Sequence, residues 1–301
     1  MCIRDSPFPA RDLTPYHRYS SVLARRRPVT TMFTSRGCPY RCTFCDRPHL
    51  GKKFRAHSAR RVVDEMEECV RMGIHEILVY DDTFTVSRRR VLEICAEIQR
   101  RGLDVAWDIR ARVDTVDEEM LRALKAAGCE RIHYGVEAGS DHFMEVLRKG
   151  ITVEDARTAF KLTKKAGISS LAYFMIGIPG ETEDDIRQTW RLARELGPDF
   201  VHITILCPFP GTEIYRNALA EGVYESDHWL DFARDPQPGF QPKYWTQQLS
   251  AERLEALLEQ AYKDFYTRPG YIAKQLLKIR SWREFRDKLR AGLRVLFLRG
   301  G

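Results

Sequence analysis

Residues 104–138, DVAWDIRARVDTVDEEMLRALKAAGCERIHYGVEA, decide the fold. The stretch opens on a β-branched and aromatic run, DVAWDIRA, and closes on another, RIHYGVEA. Between them a helical segment near 117–127 stops at Ala127–Gly128, because glycine readily takes the left-handed conformation that ends a helix. Strand, helix and strand at this spacing form a parallel βαβ unit.

Working outward, the same alternation continues in both directions. VTTMFT (29–34) and HEILVYDD (75–82) precede it, and SSLAYFMIG (169–177) and FVHITILCP (200–208) follow. Helical stretches fall near 58–72, 87–101, 153–166 and 182–196, with Gly73, Gly102, Gly167 and Gly197 as their stops. Six βα units over 29–208 fall short of the eight units and ~250 residues of a complete barrel. The expectation is an α/β fold, a partial (β/α)6 TIM-like barrel. After Pro208 the pattern changes to a PFPGTE turn, a short helix, a loop near 224–249 rich in Pro, Gly and aromatics, and helices near 250–266 and 270–298. The chain therefore divides into an adapter-like start (MCIRDS) and interdomain arm over 1–28, the barrel over 29–212, and a helical C-terminal extension over 213–301.

At 301 residues, 44% hydrophobic and 30% charged, the chain is neither low-complexity nor disordered in composition. No apolar run approaches the ~18–20 residues of a membrane span, so a cytoplasmic globular protein is expected. The net charge of +7 is unevenly placed. From Arg268 onward ten basic residues face two acidic ones, so that segment carries +8 and the rest −1. The neutral body gives no argument for nucleic-acid binding. In the tail, Trp282, Phe285, Leu289, Leu293 and Leu296 make one apolar stripe flanked by Arg283, Arg286, Arg290 and Arg294. A basic amphipathic helix of this kind suits a peripheral membrane contact through 270–301 and a lipid-like substrate, or simply packs on the barrel.

Three of the eight cysteines crowd into Ser35-Arg36-Gly37-Cys38-Pro39-Tyr40-Arg41-Cys42-Thr43-Phe44-Cys45, a C-x3-C-x2-C directly after the first strand. Three thiolates this close can wrap one inorganic centre, and three ligands on a four-iron cube leave one iron open. As an alternative, Cys38, Cys42, Cys45 and His49 could make a closed structural zinc site, which would make the chain a zinc-stabilised binding module with a basic tail. Position favours the cluster, since the cysteines follow a barrel strand at the end where parallel βα folds build active sites. Cys69, Cys95 and Cys129 fall on apolar faces and read as core, whereas Cys207 ends the sixth strand near the mouth. His133 and His202 alternate with apolar neighbours, as interior histidines do.

With Phe44 just before the last cysteine, this motif resembles that of the radical S-adenosylmethionine superfamily. The resemblance extends through Asp81-Asp82-Thr83-Phe84-Thr85, Trp107…Arg112, Gly135-Val136-Glu137-Ala138-Gly139-Ser140, Lys149-Gly150, Phe174 through Thr182, and Pro208-Phe209-Pro210-Gly211-Thr212-Glu213. The PARDL…Tyr19 arm and Phe265-Tyr266-x-Arg268-Pro269-x-Tyr271 resemble the branch that carries an N-terminal cobalamin-binding domain. The resemblance implies a [4Fe-4S] cluster on Cys38, Cys42 and Cys45. S-adenosylmethionine would chelate the fourth iron, and one electron from an external reductant would release a 5′-deoxyadenosyl radical that takes hydrogen from a small-molecule substrate. It further implies Phe44 near the adenine, Glu137 at the ribose, Asp82 at the methionine amino group, Arg112 at its carboxylate, and Gly177 and Pro179 on the adenine side. Tyr173 and Gly180 depart from the commonest form of the last motif. The branch implies cobalamin-dependent methylation of an unactivated carbon, with a radical cyclisation or rearrangement as the runner-up. The stretch before the cluster strand holds no Asp-x-His-x-x-Gly, so the chain is expected to be a piece lacking its own cobalamin domain.

Overall fold

In the computed structural model, the described residues are 7–46 and 53–277, with 279, 282 and 286 beyond them. Six strands form one all-parallel sheet: β1 (Val29–Met32), then, after a short antiparallel pair β2 (Ser35–Arg36) and β3 (Arg55–Ala56), β4 (Glu76–Val79), β5 (Ala106–Ala111), β6 (Cys129–Glu137), β7 (Ser169–Ile176) and β8 (Phe200–Ile205). The sheet order β1-β4-β5-β6-β7-β8 follows the chain. Each new strand pairs with its predecessor in the sheet through a helical crossover, the winding that the alternating sequence predicts. The result is the expected partial barrel.

The helices of the barrel are α1 (Ala59–Arg71), α2 (Arg88–Arg101), α3 (Glu118–Ala126), α4 (Asp141–Val146), α5 (Val153–Lys165) and α6 (Glu183–Leu196). Their starts are set by side-chain caps: Ser58, Ser87, Asp117 and Ser140 each accept a backbone N–H from the first turn. Thr152 with Asp155, and Thr182 with Asp185, make complete capping boxes. Two ends are set by glycine, Gly102 (φ 61°) and Gly197 (φ 58°) standing in the left-handed conformation.

Each helix buries one stripe against the outer face of the sheet. Met66 and Cys69 of α1, Ile94 and Cys95 of α2, and Leu121 and Leu124 of α3 join Ile77, Trp107, Ile109 and Ile132 in one continuous core. Cys69, Cys95 and Cys129 are buried in it, as the sequence suggests. Trp107 sits against Phe84 with ring centroids 5.5 Å apart, and its indole N–H donates to the Ala127 carbonyl at 2.8 Å.

An open half-barrel has two unpaired rims. At β1 the arm seals the rim: the Tyr19 carbonyl accepts from Val29 N–H at 3.2 Å, and the Arg11 guanidinium donates to Thr31 O at 3.1 Å and pairs with Glu65 at 2.6 Å. Further along the arm, Arg25 and Arg26 donate their backbone N–H groups to Glu76, at 2.8 and 2.6 Å. The arm is thus tied to the barrel at Arg11, Tyr19, Arg25 and Arg26.

At β8 the C-terminal extension does the sealing. It contains α7 (Glu213–Ala220), α8 (His228–Arg234), α9 (Ala251–Tyr266) and α10 (Pro269–Leu277). Tyr262 and Tyr266 are one turn apart on α9. The Tyr262 hydroxyl donates to Ile203 O and accepts from Ile203 N–H, both at 3.0 Å. Tyr266 does the same for Val201, at 2.7 and 2.9 Å. Tyr271 then donates to Asp199 O at 2.8 Å. These bonds take up the main-chain groups through which a naked edge strand recruits other chains. The basic stripe expected over 281–298 lies almost wholly outside the described residues.

Candidate active site

The site lies at the C-terminal edge of the sheet, where the loop 33–46 leaves β1. Asp81, just past β4, fixes the loop's root. Its carboxylate accepts from Thr34 N–H and Ser35 N–H at 2.6 and 2.9 Å, and from their hydroxyls at 2.5 and 2.6 Å. Arg90 backs this clamp by donating to Thr34 Oγ1 at 2.7 Å and Thr34 O at 2.8 Å.

Farther along, Thr43 pins the middle of the cysteine motif. Its N–H donates to Leu147 O at 3.0 Å, and its carbonyl accepts from Ile214 N–H at 3.2 Å. The loop is therefore held by the end of β4, the end of α4 and the start of α7 at once. Cys38, Cys42 and Cys45 are all half-buried on it, and none is in a disulfide. The Cys38 sulfur lies 3.7 Å from the Thr83 hydroxyl. Burial raises the Cys42 thiol pKa, while Lys149 and Arg112 pull it down by their charge. That is the setting for a ligand deprotonated on binding a cation.

Glu137 and Lys149 form a buried ion pair at 2.7 Å beside Cys42. Glu137 holds a positive φ of 78° at the β6 terminus, which turns its side chain back over Gly135. A Cβ on Gly135 would stand 2.3 Å from the Glu137 carboxylate and 2.8 Å from Lys149 Nζ, so only glycine leaves room for the pair. Lys149 also lies 5.7 Å from the ring centroid of Phe44. Arg112 pairs with Asp114, Nε and Nη2 each 2.9 Å from a carboxylate oxygen, and stacks 3.8 Å over the Tyr40 ring. Asp82 is exposed on the loop beside Thr83. Gly177 and Ile178, flanking half-buried Pro179 on its N-terminal side, donate their N–H groups to Glu181 at 2.6 and 3.0 Å. Burial outweighs those two bonds and lifts the Glu181 carboxyl to about 7.

The structure thus brings Cys38, Cys42, Cys45, Phe44, Arg112 and Glu137 to one neighbourhood. It adds three residues that the sequence left without a role: Asp81, Thr83 and Lys149. Lys149 was visible only as part of a motif block. His49, the fourth ligand of the zinc alternative, lies outside the described residues. Among those described, no three Cys, His, Asp or Glu side chains converge at the spacing of a single metal ion.

On the concave face below, Asp108, His133 and Tyr173 form a line. His133 Nε2 is 3.3 Å from Asp108 Oδ2, and Nδ1 is 3.0 Å from the Tyr173 hydroxyl. Burial keeps the imidazole pKa low, against the pull of Asp108. The carboxylate fixes the neutral tautomer as Nε2–H, which leaves Nδ1 to accept the phenolic proton.

Against known proteins, the model of the radical SAM superfamily matches residues 32–193. An uncharacterized methyltransferase of Pyrococcus horikoshii is 34% identical over 278 residues, covering 92% of this chain and 59% of that protein. The anaerobic magnesium-protoporphyrin IX monomethyl ester cyclase of Cereibacter sphaeroides is 30% identical over 275 residues, 89% of this chain and 43% of that one. Among solved structures, the radical S-adenosylmethionine methyltransferase TsrM from Kitasatospora setae, with cobalamin and a [4Fe-4S] cluster bound, superposes with a TM-score of 0.60. It is 25% identical and covers 65% of this chain and 40% of that one. The chain spans between two fifths and three fifths of the length of these relatives.

Proposed function

The chain belongs to the radical SAM superfamily, and we propose that it is the cluster- and S-adenosylmethionine-binding part of a cobalamin-dependent radical methyltransferase. Cys38, Cys42 and Cys45 are the ligands of a [4Fe-4S] cluster in this reading. The observation that carries it is the cysteine loop, rooted on Asp81 and pinned through Thr43 at the C-terminal edge of a parallel half-barrel. When bound, the cluster would supply one electron, received from an external reductant, to cleave S-adenosylmethionine to methionine and a 5′-deoxyadenosyl radical.

The protein's own residues bind and orient. Lys149 and Arg112 offset the negative charge of three thiolates. Phe44 offers a face to the adenine, and the Gly177–Pro179 turn brings backbone to its edge. Glu137 is already committed to Lys149 and Arg112 to Asp114, so their proposed contacts with ribose and carboxylate are additional to those pairs. Asp82, exposed on the neighbouring loop, remains the proposed partner of the methionine amino group. The boundaries 1–28, 29–212 and 213–301 serve as arm, catalytic barrel and extension, with cobalamin held by a region of the intact protein outside this chain. Similarity to the cyclase over most of the chain favours a second reading, a radical cyclisation on the same site. No helix among the described residues is long and apolar enough to cross a membrane. The peripheral membrane contact and the lipid-like substrate rest on the tail pattern alone. Flotation with anionic liposomes tests them: unaltered binding after loss of 270–301 would end the idea.

Anaerobic reconstitution tests the main reading. Cys38→Ala, Cys42→Ala and Cys45→Ala should each lose the EPR-active cluster and the release of 5′-deoxyadenosine. Release at the unmodified rate from any one of them overturns the ligand assignment.

A further inference from the structure

The concave face of the half-barrel holds a cation that the site above does not use. Arg110 alternates with Trp107 and Ile109 along β5, so it points to the side opposite the helices, as Asp108 does. Its guanidinium lies 3.6 Å over the ring of Tyr80, and Nη1 donates to Val79 O at 2.5 Å. Among the described residues it has no ion pair, whereas Arg11, Arg112 and Arg131, also half-buried or buried, each have a carboxylate within 4 Å. Around it the face is aromatic and open. Phe33 is 49% exposed and Tyr80 41%, with ring centroids 6.5 Å apart. Half-buried Tyr173 stands on β7, 5.5 Å from the His202 ring.

Exposed rings side by side on a concave wall are a platform for a flat apolar body. A guanidinium stacked on one of them, with most of its N–H donors unspent, is a fork for a carboxylate or phosphate. Tyr173 adds the complementary group: its proton is turned toward His133 Nδ1, so its oxygen offers lone pairs to a ligand donor. Nothing else in the sheet needs this combination, since neither Phe33 nor Tyr80 joins the buried core.

We propose that the concave face binds the substrate as an anion, its carboxylate or phosphate on Arg110 and a flat apolar body over Tyr80 and Phe33. This deepens the reading above, on which it rests only for calling the bound molecule a substrate. Binding is a property of the wall and is measured separately from the radical chemistry.

The test is calorimetric titration of the full reconstituted chain with three probes of one shape: 1-naphthoate, 1-naphthyl phosphate and 1-naphthamide. At least one anion should bind tenfold or more tightly than the amide, and the tighter of the two tells carboxylate from phosphate. Arg110→Gln should bring the anion down to the level of the amide, with the basic tail intact. Tyr80→Leu should weaken anion and amide by a similar factor, leaving their ratio. Equal binding of anion and amide by the unmodified protein, no binding of any probe, or Arg110→Gln binding within twofold of it would each overturn the proposal. If Arg110→Gln does not fold, Arg110→Lys and the ratio in the unmodified protein decide. A chain that binds the anion yet releases no 5′-deoxyadenosine would overturn the proposed chemistry and leave the site standing. The reverse result would remove the site alone.

Discussion

Replacing Asp81 with alanine should loosen the cysteine loop at its root. The side chain is fully buried and accepts four hydrogen bonds, from two backbone N–H groups and two hydroxyls. The hydroxyls of Thr34 and Ser35 can rotate toward other acceptors, but the two N–H groups are fixed by the chain. Each buried donor left unsatisfied costs about 1–3 kcal/mol, so the pair alone accounts for roughly 2–6 kcal/mol. Arg90, whose guanidinium rests on Thr34, loses the nearby carboxylate as well. A loss of this size is a large share of the ~5–15 kcal/mol that holds a typical domain. Asp81→Asn keeps one oxygen for the N–H pair, and the hydroxyls can turn to accept from its amide, so it should cost well under half as much. Urea unfolding of the reconstituted protein, followed by circular dichroism and by the cluster's visible absorbance, reads both quantities. In Asp81→Ala the cluster absorbance should be lost at a lower urea concentration than the helical signal, because the damage is local to the loop. An alanine variant as stable as the unmodified protein, or one in which both signals fall together, would refute the clamp.

Four further outcomes follow from the geometry. Lys149→Met removes the largest favourable charge beside Cys42, so that thiol should deprotonate at higher pH and react more slowly with iodoacetamide in the cluster-free protein. Glu137→Gln leaves Lys149 buried without its anion and should destabilise by about 3–5 kcal/mol in a melt, with Lys149→Met on top restoring some of the loss. Glu181 has a folded pKa near 7, above its ordinary 4.5, so the native state binds its proton more tightly; stability should be highest below pH 4.5 as far as this group goes and fall as pH rises to 7. The shift corresponds to about 3 kcal/mol at 1.36 kcal/mol per unit, and Glu181→Gln should flatten that slope in pH-dependent unfolding. Tyr262→Phe with Tyr266→Phe should cost ~1 kcal/mol for each bond removed and raise self-association in light scattering, with no change in 5′-deoxyadenosine release.

How much of this was legible beforehand differs by element. The barrel's long helices stand within a residue or two of their sequence limits, because an apolar period, a capping side chain and a terminal glycine agree at each. Two short helices were not visible. DHFMEV, the whole of α4, is six residues and cannot display a 3.6-residue period, and HWLDFAR, α8, sits in a stretch whose prolines and glycines suggest only loop. The β2–β3 pair was missed because two residues on each side carry no alternation.

In the site, the cysteine spacing was readable because its meaning is local. The rest depends on the fold. Asp81 and Asp82 are neighbours of the same chemistry, yet one is buried under the loop and the other faces solvent. Only the turn after β4 decides which. Glu137 and Lys149 are separated by a turn and α4, and nothing in the sequence states that a left-handed backbone at Glu137 folds its carboxylate back onto the lysine.

The sealed rims have a consequence for access. In a closed barrel the bore is fixed by strand number and shear, and a molecule wider than the bore must enter from the end or force neighbouring strands apart. Here the main-chain groups that two more βα units would have covered are occupied instead by phenol hydroxyls and a short arm. The missing stretch of the circumference is then a doorway. A bulky molecule could then come to the aromatic wall sideways, between the β1 and β8 edges, without breaking a single ladder bond. Changing the tyrosines and the arm, while leaving the cysteine loop untouched, would then recut the doorway for a different guest.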